Sequence, residues 1–207
     1  MEEIDTRLKE TKIMANNYNN AFKMFAKQAP LVATERWLYG VWMVGNNYRS
    51  KQKYYGEYPP MYLERIYSLF PKIKSDSILH LFSGSLDDTE KGDRFDINID
   101  LNPTYIGDAH ELSKIVPINR YRLIIVDPPY SQEDANHYGI PMINRNKVII
   151  ECCKVLMIDG YIVWLDQVLP MYRKRVINLI GTIGLIRSTN HRVRFIFIWK
   201  KVGDYIV

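Results

Sequence analysis

Residues 123–130 read Leu-Ile-Ile-Val-Asp-Pro-Pro-Tyr, and the rest of the chain can be interpreted around this stretch. Four consecutive β-favouring apolar residues predict a fully buried strand, which must stop where two prolines remove the next ladder donors. The strand therefore delivers the carboxylate of Asp127 to its carboxyl edge. Ligands bind at that edge in open α/β sheets, so the stretch predicts a site. The alternative is a buried strand that simply ends in a proline turn.

The last four of these residues resemble the catalytic motif of S-adenosylmethionine (SAM)-dependent methyltransferases that act on exocyclic amino groups of bases, above all the DNA adenine-N6 methyltransferases. Such an amine is a poor nucleophile because its lone pair is delocalised into the ring. The Asp127 carboxylate and the Pro128 carbonyl can accept from its two N–H groups, which favours a pyramidal nitrogen and frees the lone pair. Pro128 and Pro129 fix φ and hold this acceptor in place, and Tyr130 offers a face for stacking an extruded base.

A second motif lies earlier in the chain. Residues 77–82 predict a strand, and residues 83–85, Ser-Gly-Ser, predict a tight turn whose backbone N–H groups can approach a ligand. The stretch resembles the SAM-binding motif of the same family, Asp-Leu-Phe-x-Gly-x-Gly, with Gly84 at its first glycine. Two positions depart from the motif: His80 stands in place of the acid, and Leu86 in place of the last glycine.

Two acids follow at the ends of further predicted strands. Residues 95–100 alternate as a second strand ending in Asp100, 16 residues beyond Gly84, where a carboxylate can accept from both hydroxyls of a ribose. Residues 105–109 give a short third strand whose Asp108 could accept from the adenine amine of SAM. The resemblance also implies that a proline-bounded helix at 61–70 closes over the methionine end of SAM. The predicted cofactor-binding residues are Pro60, His80, Phe82, Ser83, Gly84, Asp100, Asp108 and Ala109.

Length and composition bound the class of protein. The chain has 207 residues, of which 47% are hydrophobic and 25% charged, as expected for one globular domain with an appended element. We find no transmembrane run and no signal peptide, and expect a cytoplasmic location without membrane contact. Cys152 and Cys153 are adjacent in a predicted helix, so they indicate buried small hydrophobes rather than disulfides or a metal site.

Charge is segregated along the chain. Residues 1–75 hold 12 Lys+Arg against 7 Asp+Glu, residues 76–139 hold 5 against 12, and residues 140–207 hold 11 against 4, giving +5, −7 and +7. An acidic centre favours a cationic small molecule, and basic flanks favour a polyanion; ordinary solvated surface is the alternative.

The nucleic-acid contacts are predicted in two loops. The aromatic-rich region 37–62 contains cations and could stack on bases and pair with phosphates, or could instead form a small core or cap. We expect its tryptophans to pack and its 48–55 loop to bind nucleic acid. A polar loop at 131–141 adds substrate contacts. The predicted nucleic-acid-binding residues are Arg49, Lys51, Lys53, His137 and Tyr138.

The remaining pattern predicts the fold. Residues 1–30 suggest two short helices or one helix and a loop, and helices are predicted at 144–156 and 170–179. A turn at Asp159-Gly160 precedes a fifth strand at 161–165, and residues 183–188 and 193–200 form a hairpin. These elements indicate an α/β fold with a seven-stranded, mostly parallel sheet and a terminal antiparallel hairpin, and the resemblance implies that this is the Rossmann-like class I methyltransferase fold. Residues 58–207 form this domain, and residues 1–57 form a helical and aromatic-basic extension.

The resemblance implies methyl transfer from SAM to the N6 amine of adenine in DNA. Only about 57 residues and short loops remain for target recognition, so a partner subunit could supply it. The alternatives are an RNA base methyltransferase (adenine-N6 or guanine-N2), a cytosine-N4 enzyme, or a non-catalytic nucleic-acid-binding subunit of the same fold. The departures at His80 and Leu86 motivate the last of these.

Overall fold

The structure is a computed structural model that describes residues 2–23, 29–45, 58–137, 139–188 and 193–205. None of the helices in these ranges combines the length and apolar character needed to cross a membrane.

Two compact units make up the chain. Unit 1 consists of residues 1–72 and 180–196, and unit 2 of residues 73–179 and 197–207. The predicted domain boundary between residues 57 and 58 stays a prediction, because the segment before it lies outside the described ranges.

Five α-helices and nine β-strands occur in the described ranges. The helices are α1 Glu2–Ala21, α2 Tyr62–Leu69, α3 Leu112–Ile115, α4 Gln132–His137 and α5 Arg145–Val155. The strands are β1 Val32–Ala33, β2 Leu38–Val44, β3 Ile78–Leu81, β4 Asp93–Asp96, β5 Tyr105–Ile106, β6 Tyr121–Val126, β7 Leu156–Asp166, β8 Ile177–Arg187 and β9 Val193–Lys201. The predicted mixed α/β class is confirmed, but the number of seven strands is wrong. The two additional strands, β1 and β2, come from the segment predicted as a helical and aromatic extension.

Unit 2 contains a parallel sheet in the order β7-β6-β3-β4-β5. Strand β6, which lies between β7 and β3, pairs with β3 from Ile78↔Leu123 to Leu81↔Val126, and residues 123–126 are fully buried. A strand covered on both faces needs a continuous apolar run, which is what the sequence provides. The predicted buried strand at 123–126 is confirmed. Because the five strands are parallel, their carboxyl ends lie along the same side of the sheet, and the residues that follow the strands come together there.

Helix α5 packs its apolar face into the core of unit 2. Asn144 caps its start by accepting from the Lys147 N–H at 3.1 Å, a common signal for helix initiation. Cys152 and Cys153 lie in this helix as free, buried thiols, as predicted. Burial raises the pKa of Cys153 to about 12, so that thiol stays protonated at neutral pH.

Unit 1 combines the N-terminal helices with strands from both ends of the chain. Strand β2 pairs in parallel with β8, from Leu38↔Gly181 to Val44↔Arg187, and antiparallel with β1. The backbones of β2 and β8 approach each other closely at Gly181, since a Cβ there would lie 3.0 Å from the backbone oxygen of Leu38. The N-terminal region contains a single helix, α1, within the described residues.

A buried cation lies in the core of unit 1. The Arg65 guanidinium is shielded from water, since the residue is only 2% exposed. It donates to the Tyr18 hydroxyl at 3.0 Å, and its carbon lies 5.4 Å from the centroid of the Trp42 ring. Burial lowers the pKa of Arg65, while Tyr18 acts in the opposite direction. Aromatic faces and a hydroxyl together replace water around the charge. Trp42 is fully buried, which confirms its predicted packing role.

The helix predicted at 170–179 is wrong. Residues 174–176 form a turn, and β8 begins at Ile177. The basic stretch before β8 suits a helix locally, but the β-branched residues at 177, 180 and 183 are used in a strand. Strand β8 lies between β2 and β9 in the sheet and extends back to Ile177, so pairing with strands distant in sequence overrides the local preference at residues 177–179.

The second predicted strand ends four residues too late. Strand β4 stops at Asp96, whose Oδ1 accepts from the Asn98 N–H at 3.0 Å, and the Asn98 Oδ1 accepts from the Asp100 N–H at 3.0 Å. Side chains of Asp and Asn that capture the backbone two residues on form turns and compete with the ladder. Asp100 therefore lies in a short 3-10 helix, Ile99–Leu101, beyond the strand.

The turn predicted at Asp159-Gly160 is also wrong, because both residues lie within β7. The register between β6 and β7 shifts between Tyr121 and Leu123, and Asp159 has φ 62°. The local turn signal marks a bulge in a long strand rather than a break between elements.

Candidate active site

The predicted catalytic motif lies immediately after β6. Pro128 and Pro129 are buried, whereas Asp127 and Tyr130 are half-buried. The Tyr130 hydroxyl donates a hydrogen bond to Asp127 Oδ1, so ring and carboxylate lie side by side. The Asp127 N–H donates to the Leu81 carbonyl at 3.4 Å, which ties the motif to the end of β3.

Arg145 contacts the backbone of this motif from the first turn of α5. Its Nη2 donates to the Tyr130 carbonyl at 3.0 Å and lies 3.5 Å from the Pro129 carbonyl. A charged donor on consecutive carbonyls restricts the loop that carries Asp127. The sequence analysis did not find this residue, because a single arginine at a helix start carries no signal of its partner.

The guanidinium of Arg145 is itself fixed by Asp166, the last residue of β7. Arg145 Nε donates to Asp166 Oδ2 at 2.7 Å and Nη2 donates to Oδ1 at 3.1 Å. Asp166 is fully buried and also accepts from Trp164 Nε1 at 3.1 Å and from the Gln167 N–H at 2.7 Å. These four donors satisfy the buried carboxylate. The Asp166–Arg145 pair thus connects the end of β7 to the motif after β6.

The turn after β3 has the conformation that the glycine motif predicts. Phe82 has φ 62° and Gly84 has φ 54°, and the Ser83 N–H donates to the Phe95 carbonyl at 3.1 Å. Ser83 is 4% exposed, and its Oγ has no hydrogen-bond partner among the described residues. An unsatisfied buried hydroxyl is uncommon and indicates a group available to a ligand on this turn.

Asp96 was not among the residues predicted from the sequence, but it lies against the glycine turn. It ends β4, next to β3, and its Oδ2 accepts from the Gly84 N–H at 2.9 Å. A carboxylate at this strand end, in contact with the glycine turn, is placed where a ribose binds in related α/β sheets. The Asn two residues later, which favours a turn, was the available signal that the strand ends at Asp96 rather than at Asp100.

His80 lies within β3 rather than on its edge. It is fully buried, and its Nε2 lies 2.8 Å from the Lys91 carbonyl, so the neutral ring donates there. Burial lowers the pKa of His80 from its ordinary value near 6.5 to about 4. At neutral pH this residue therefore brings no charge to the position that carries an acid in the family motif.

The burial of His80 predicts a pH-dependent loss of stability. Because its folded-state pKa is lowered, the neutral ring stabilises the fold above the unfolded pKa, and the contribution is lost as pH falls from about 6.5 to 4. We expect that fall to reduce the free energy of unfolding by about 3 kcal/mol more in the wild type than in His80→Gln, which does not titrate. Urea unfolding at a series of pH values measures both proteins. Parallel pH profiles would contradict the assignment.

Asp108 and Ala109 follow β5. Asp108 Oδ1 accepts from the His110 N–H at 2.9 Å and lies 2.7 Å from His110 Nδ1, while the Asn144 N–H donates to His110 Nε2 at 2.9 Å. Asp108 is thereby connected to the start of α5 and is more than half exposed. Ala109 is buried in the core of unit 2. Asp100 is exposed, and its predicted contact with a ribose stays a prediction, as does that of Asp108 with adenine.

The other predicted residues lie elsewhere. Pro60 is in the turn before α2 and belongs to unit 1. His137 is the exposed last residue of α4. The remaining nucleic-acid candidates, Arg49, Lys51, Lys53 and Tyr138, lie outside the described residues.

Comparisons with known proteins agree with this architecture. No protein-family model matches the sequence, and no curated protein matches it. The fold is similar to that of TrmN from Thermus thermophilus, with a TM-score of 0.50 and 14% sequence identity over 70% of this chain and 49% of TrmN. The chain thus spans about half the length of TrmN. An rRNA methylase from Streptococcus thermophilus gives a TM-score of 0.43 and 13% identity over 63% of this chain and 90% of its own. At 14% identity, the likeness to TrmN shows a shared fold.

Proposed function

We propose that the protein transfers a methyl group from SAM to the exocyclic N6 amine of adenine in DNA. The observation that carries the proposal is the Asp127 carboxylate beside the Tyr130 ring at the carboxyl end of β6. The pair is held by Arg145 through the Tyr130 carbonyl. A carboxylate and an aromatic face on a fixed loop suit an amine on a flat base.

The residues around the β3 turn fit SAM. Gly84 offers a turn without a side chain, Ser83 an unsatisfied hydroxyl, and Asp96 a carboxylate that can accept from ribose hydroxyls. We propose that Asp108 accepts from the adenine amine of SAM. When bound, SAM supplies a methyl group on a positively charged sulfonium, which suits a site rich in carboxylates.

The chain's own residues would act on the amine. Asp127 and the Pro128 carbonyl accept its two N–H groups, so the lone pair turns away from the ring and toward the methyl donor. Asp127 would stabilise the positive charge that develops on the nitrogen as it accepts the methyl group, and the nitrogen would then lose one proton to solvent to give the neutral methylated amine. Tyr130 stacks on the extruded base and orients the Asp127 carboxylate through its hydroxyl. The buried prolines keep this geometry before the base arrives.

The position of Asp96 predicts which acid binds the cofactor. Asp96→Asn should raise the Kd of SAM by about 10- to 100-fold, the scale of a lost charged hydrogen bond, because the amide oxygen can still accept from the Gly84 N–H, while the charge and the acceptor for the Asn98 N–H are lost. Calorimetric titration with SAM measures it, and Asp100→Asn is the matched control, expected to change Kd less than threefold. A larger rise in the Kd of SAM for Asp100→Asn than for Asp96→Asn would assign the ribose contact to Asp100, as the sequence predicted.

RNA is the second candidate substrate, because residues 127–130 also resemble the motif of RNA base methyltransferases. Incubation with labelled SAM and separate pools of duplex DNA, single-stranded DNA and RNA distinguishes the substrates. Label in DNA, at N6 of adenine after digestion to nucleosides, supports the proposal. Label only in RNA would show that RNA is the substrate, and label in cytosine would indicate a cytosine-N4 methyltransferase.

A non-catalytic subunit would behave differently in the same experiments. It would leave all three pools unlabelled and show no SAM binding by calorimetry. SAM binding without label would instead point to a missing partner subunit that supplies target recognition.

A further inference from the structure

His110 joins the loop after β5 to the start of α5 in unit 2. It lies in the short 3-10 helix Ala109–Glu111, and only 18% of its side chain is exposed. Its Nδ1 lies 2.7 Å from Asp108 Oδ1, and its Nε2 accepts from the Asn144 N–H at 2.9 Å. Both ring nitrogens therefore have a partner, and the two partners lie in different segments of the chain.

These two partners fix the tautomer of the His110 ring. The backbone N–H of Asn144 can only donate, so Nε2 must be the unprotonated nitrogen of a neutral imidazole. The single ring proton therefore lies on Nδ1 and is donated to the Asp108 carboxylate. Because a flipped ring would lose both hydrogen bonds, His110 is held in one orientation.

Asp108 receives its hydrogen bonds on one oxygen. Its Oδ1 accepts from the backbone N–H of His110 at 2.9 Å as well as from the ring. No residue that the structure describes donates a hydrogen bond to Oδ2, and the side chain is 55% exposed. Burial raises the pKa of Asp108, but the hydrogen bonds from His110 outweigh it and lower the pKa below its ordinary value. His110 thus presents a charged carboxylate with one oxygen available to a ligand.

The acid that His110 orients lies beside the other groups proposed for SAM. Strand β5 pairs in parallel with β4, and the Gly107 N–H donates to the Asp96 carbonyl at 3.1 Å. Asp96 in turn accepts from the Gly84 N–H through its side chain. Asp108 therefore directly follows a backbone contact with the proposed ribose-binding acid, at the carboxyl ends of adjacent strands.

The other partner of His110 is the residue that caps α5. Asn144 Oδ1 accepts from the Lys147 N–H at 3.1 Å, and the next residue, Arg145, donates to the Tyr130 carbonyl at 3.0 Å. Because the Arg145 side chain begins at this turn, a shift of the helix start displaces the donor that holds the motif after β6. His110 contacts the backbone at that point.

We propose that His110 is a positioning residue that orients Asp108 for the adenine amine of SAM and holds the start of α5 for the catalytic motif. It acts through Asp108 on one side and through Asn144 on the other. The proposal rests on the proposed function, since it takes SAM as the ligand of Asp108. It adds to the site a residue that no sequence motif predicted.

Two substitutions each keep one half of the contacts. In His110→Asn the side-chain amide reaches about as far as Nδ1 and can still donate to Asp108, but nothing replaces Nε2. In His110→Gln the longer side chain brings an amide oxygen to about the position of Nε2, where it accepts from the Asn144 N–H, but the donor to Asp108 is lost. Circular dichroism and urea unfolding check that both variants fold.

The cofactor half is measured with two ligands that differ at one group. S-Adenosylhomocysteine carries the amine from which Asp108 would accept, and S-inosylhomocysteine has a carbonyl oxygen in its place. The wild type should bind the first about 10- to 100-fold more tightly, the scale of a hydrogen bond to a charged group. His110→Asn should keep this ratio of Kd values, and His110→Gln should lower it at least about threefold. Calorimetric titration measures the four Kd values of the variants beside those of the wild type.

The helix half is measured by hydrogen exchange in the protein without ligand. The Asn144 amide should exchange at least about fivefold faster in His110→Asn than in the wild type, because it loses its acceptor, and His110→Gln should keep the protection. Single-turnover methyl transfer at saturating SAM should fall about three- to tenfold in His110→Asn and stay within about twofold of the wild type in His110→Gln.

Equal losses of both properties in the two variants would overturn the proposal, because His110 would then support the loop without acting separately on its two partners. An unchanged ratio of Kd values in His110→Gln, or unchanged exchange of the Asn144 amide in His110→Asn, would overturn it as well.

Failure of the proposed function is distinguishable in the same experiments. The expected ratios and exchange rates without methyl transfer by the wild type would refute the activity and leave the role of His110 standing. Normal methyl transfer with an unchanged ratio in His110→Gln would remove that role and leave the activity. A wild type that binds neither ligand would overturn both.

Discussion

Asp127→Ala is expected to lower the rate of methyl transfer by about 10²- to 10³-fold at saturating SAM, with little change in the affinity for SAM. The carboxylate stabilises charge that exists only as the N–C bond forms, so its loss appears in the transition state. Single-turnover methylation measures the rate, and circular dichroism checks folding. A near-normal rate in this variant would show that the motif is a structural turn without a catalytic role.

Two matched variants separate the parts of this effect. Asp127→Asn keeps an acceptor for the Tyr130 hydroxyl but removes the charge, and it should be nearly as slow as Asp127→Ala. Tyr130→Phe keeps the stacking face and removes the hydroxyl that orients Asp127. Its loss should be much smaller than that of Tyr130→Ala, for which lost stacking amounts to about 1–3 kcal/mol.

Arg145→Ala is expected to have the largest effect on stability, lowering the free energy of unfolding by about 3–5 kcal/mol. The substitution leaves the fully buried Asp166 carboxylate without its cation, and removing one member of a buried pair has this scale of effect. It also removes the donor to the Tyr130 carbonyl, so methyl transfer should fall in the protein that remains folded. Urea unfolding and single-turnover methylation measure the two effects.

A double variant tests whether Arg145 positions the motif or only supports the fold. Arg145→Met/Asp166→Asn removes both charges, and the single amide oxygen keeps an acceptor for one of the two donors, Trp164 Nε1 or the Gln167 N–H, which bind different oxygens of Asp166. Much of the stability should return, because a neutral pair has no uncompensated charge. The methyl-transfer rate should stay low, since the Tyr130 carbonyl still lacks its donor. Recovery of the rate together with stability would show that Arg145 has a purely structural role.

The features predicted correctly from the sequence are those with local signals. Residues 123–126 are continuously apolar and bounded by two prolines, and residues 145–155 have a capping Asn before them, so neither assignment required knowledge of distant residues. The glycine turn at residue 84 likewise follows from local backbone geometry. Each of these elements is specified within about ten residues of chain.

The features that were missed depend on distant residues. Arg145 and Asp166 are separated by 21 residues, and nothing in either neighbourhood indicates that they pair. The first residues of strand β8, 177–179, were predicted as the end of a helix, whereas its later residues from 183 onward were correctly predicted as a strand. Asp96 was not predicted as the end of its strand, because the alternation of apolar and polar residues continues beyond it. The side-chain hydrogen bonds that end the strand there compete with the strand ladder, and the residues that form them are weak signals one by one.

The parallel pairing of β2 with β8 also constrains the order in which the chain can fold. Leu38 pairs with Gly181, so 143 residues separate the partners, and the strand cannot complete its ladder until the C-terminal part has been synthesised. At a synthesis rate of about 5–20 residues per second, β2 waits roughly 7–30 s, during which β3 to β7 of unit 2 can already pair. Throughout this interval the backbone groups of β2 that pair with β8 in the folded protein lack those partners. Unit 1 therefore cannot be completed before residues 180–196 have been synthesised, and the edge of β2 stays open to aggregation until β8 arrives.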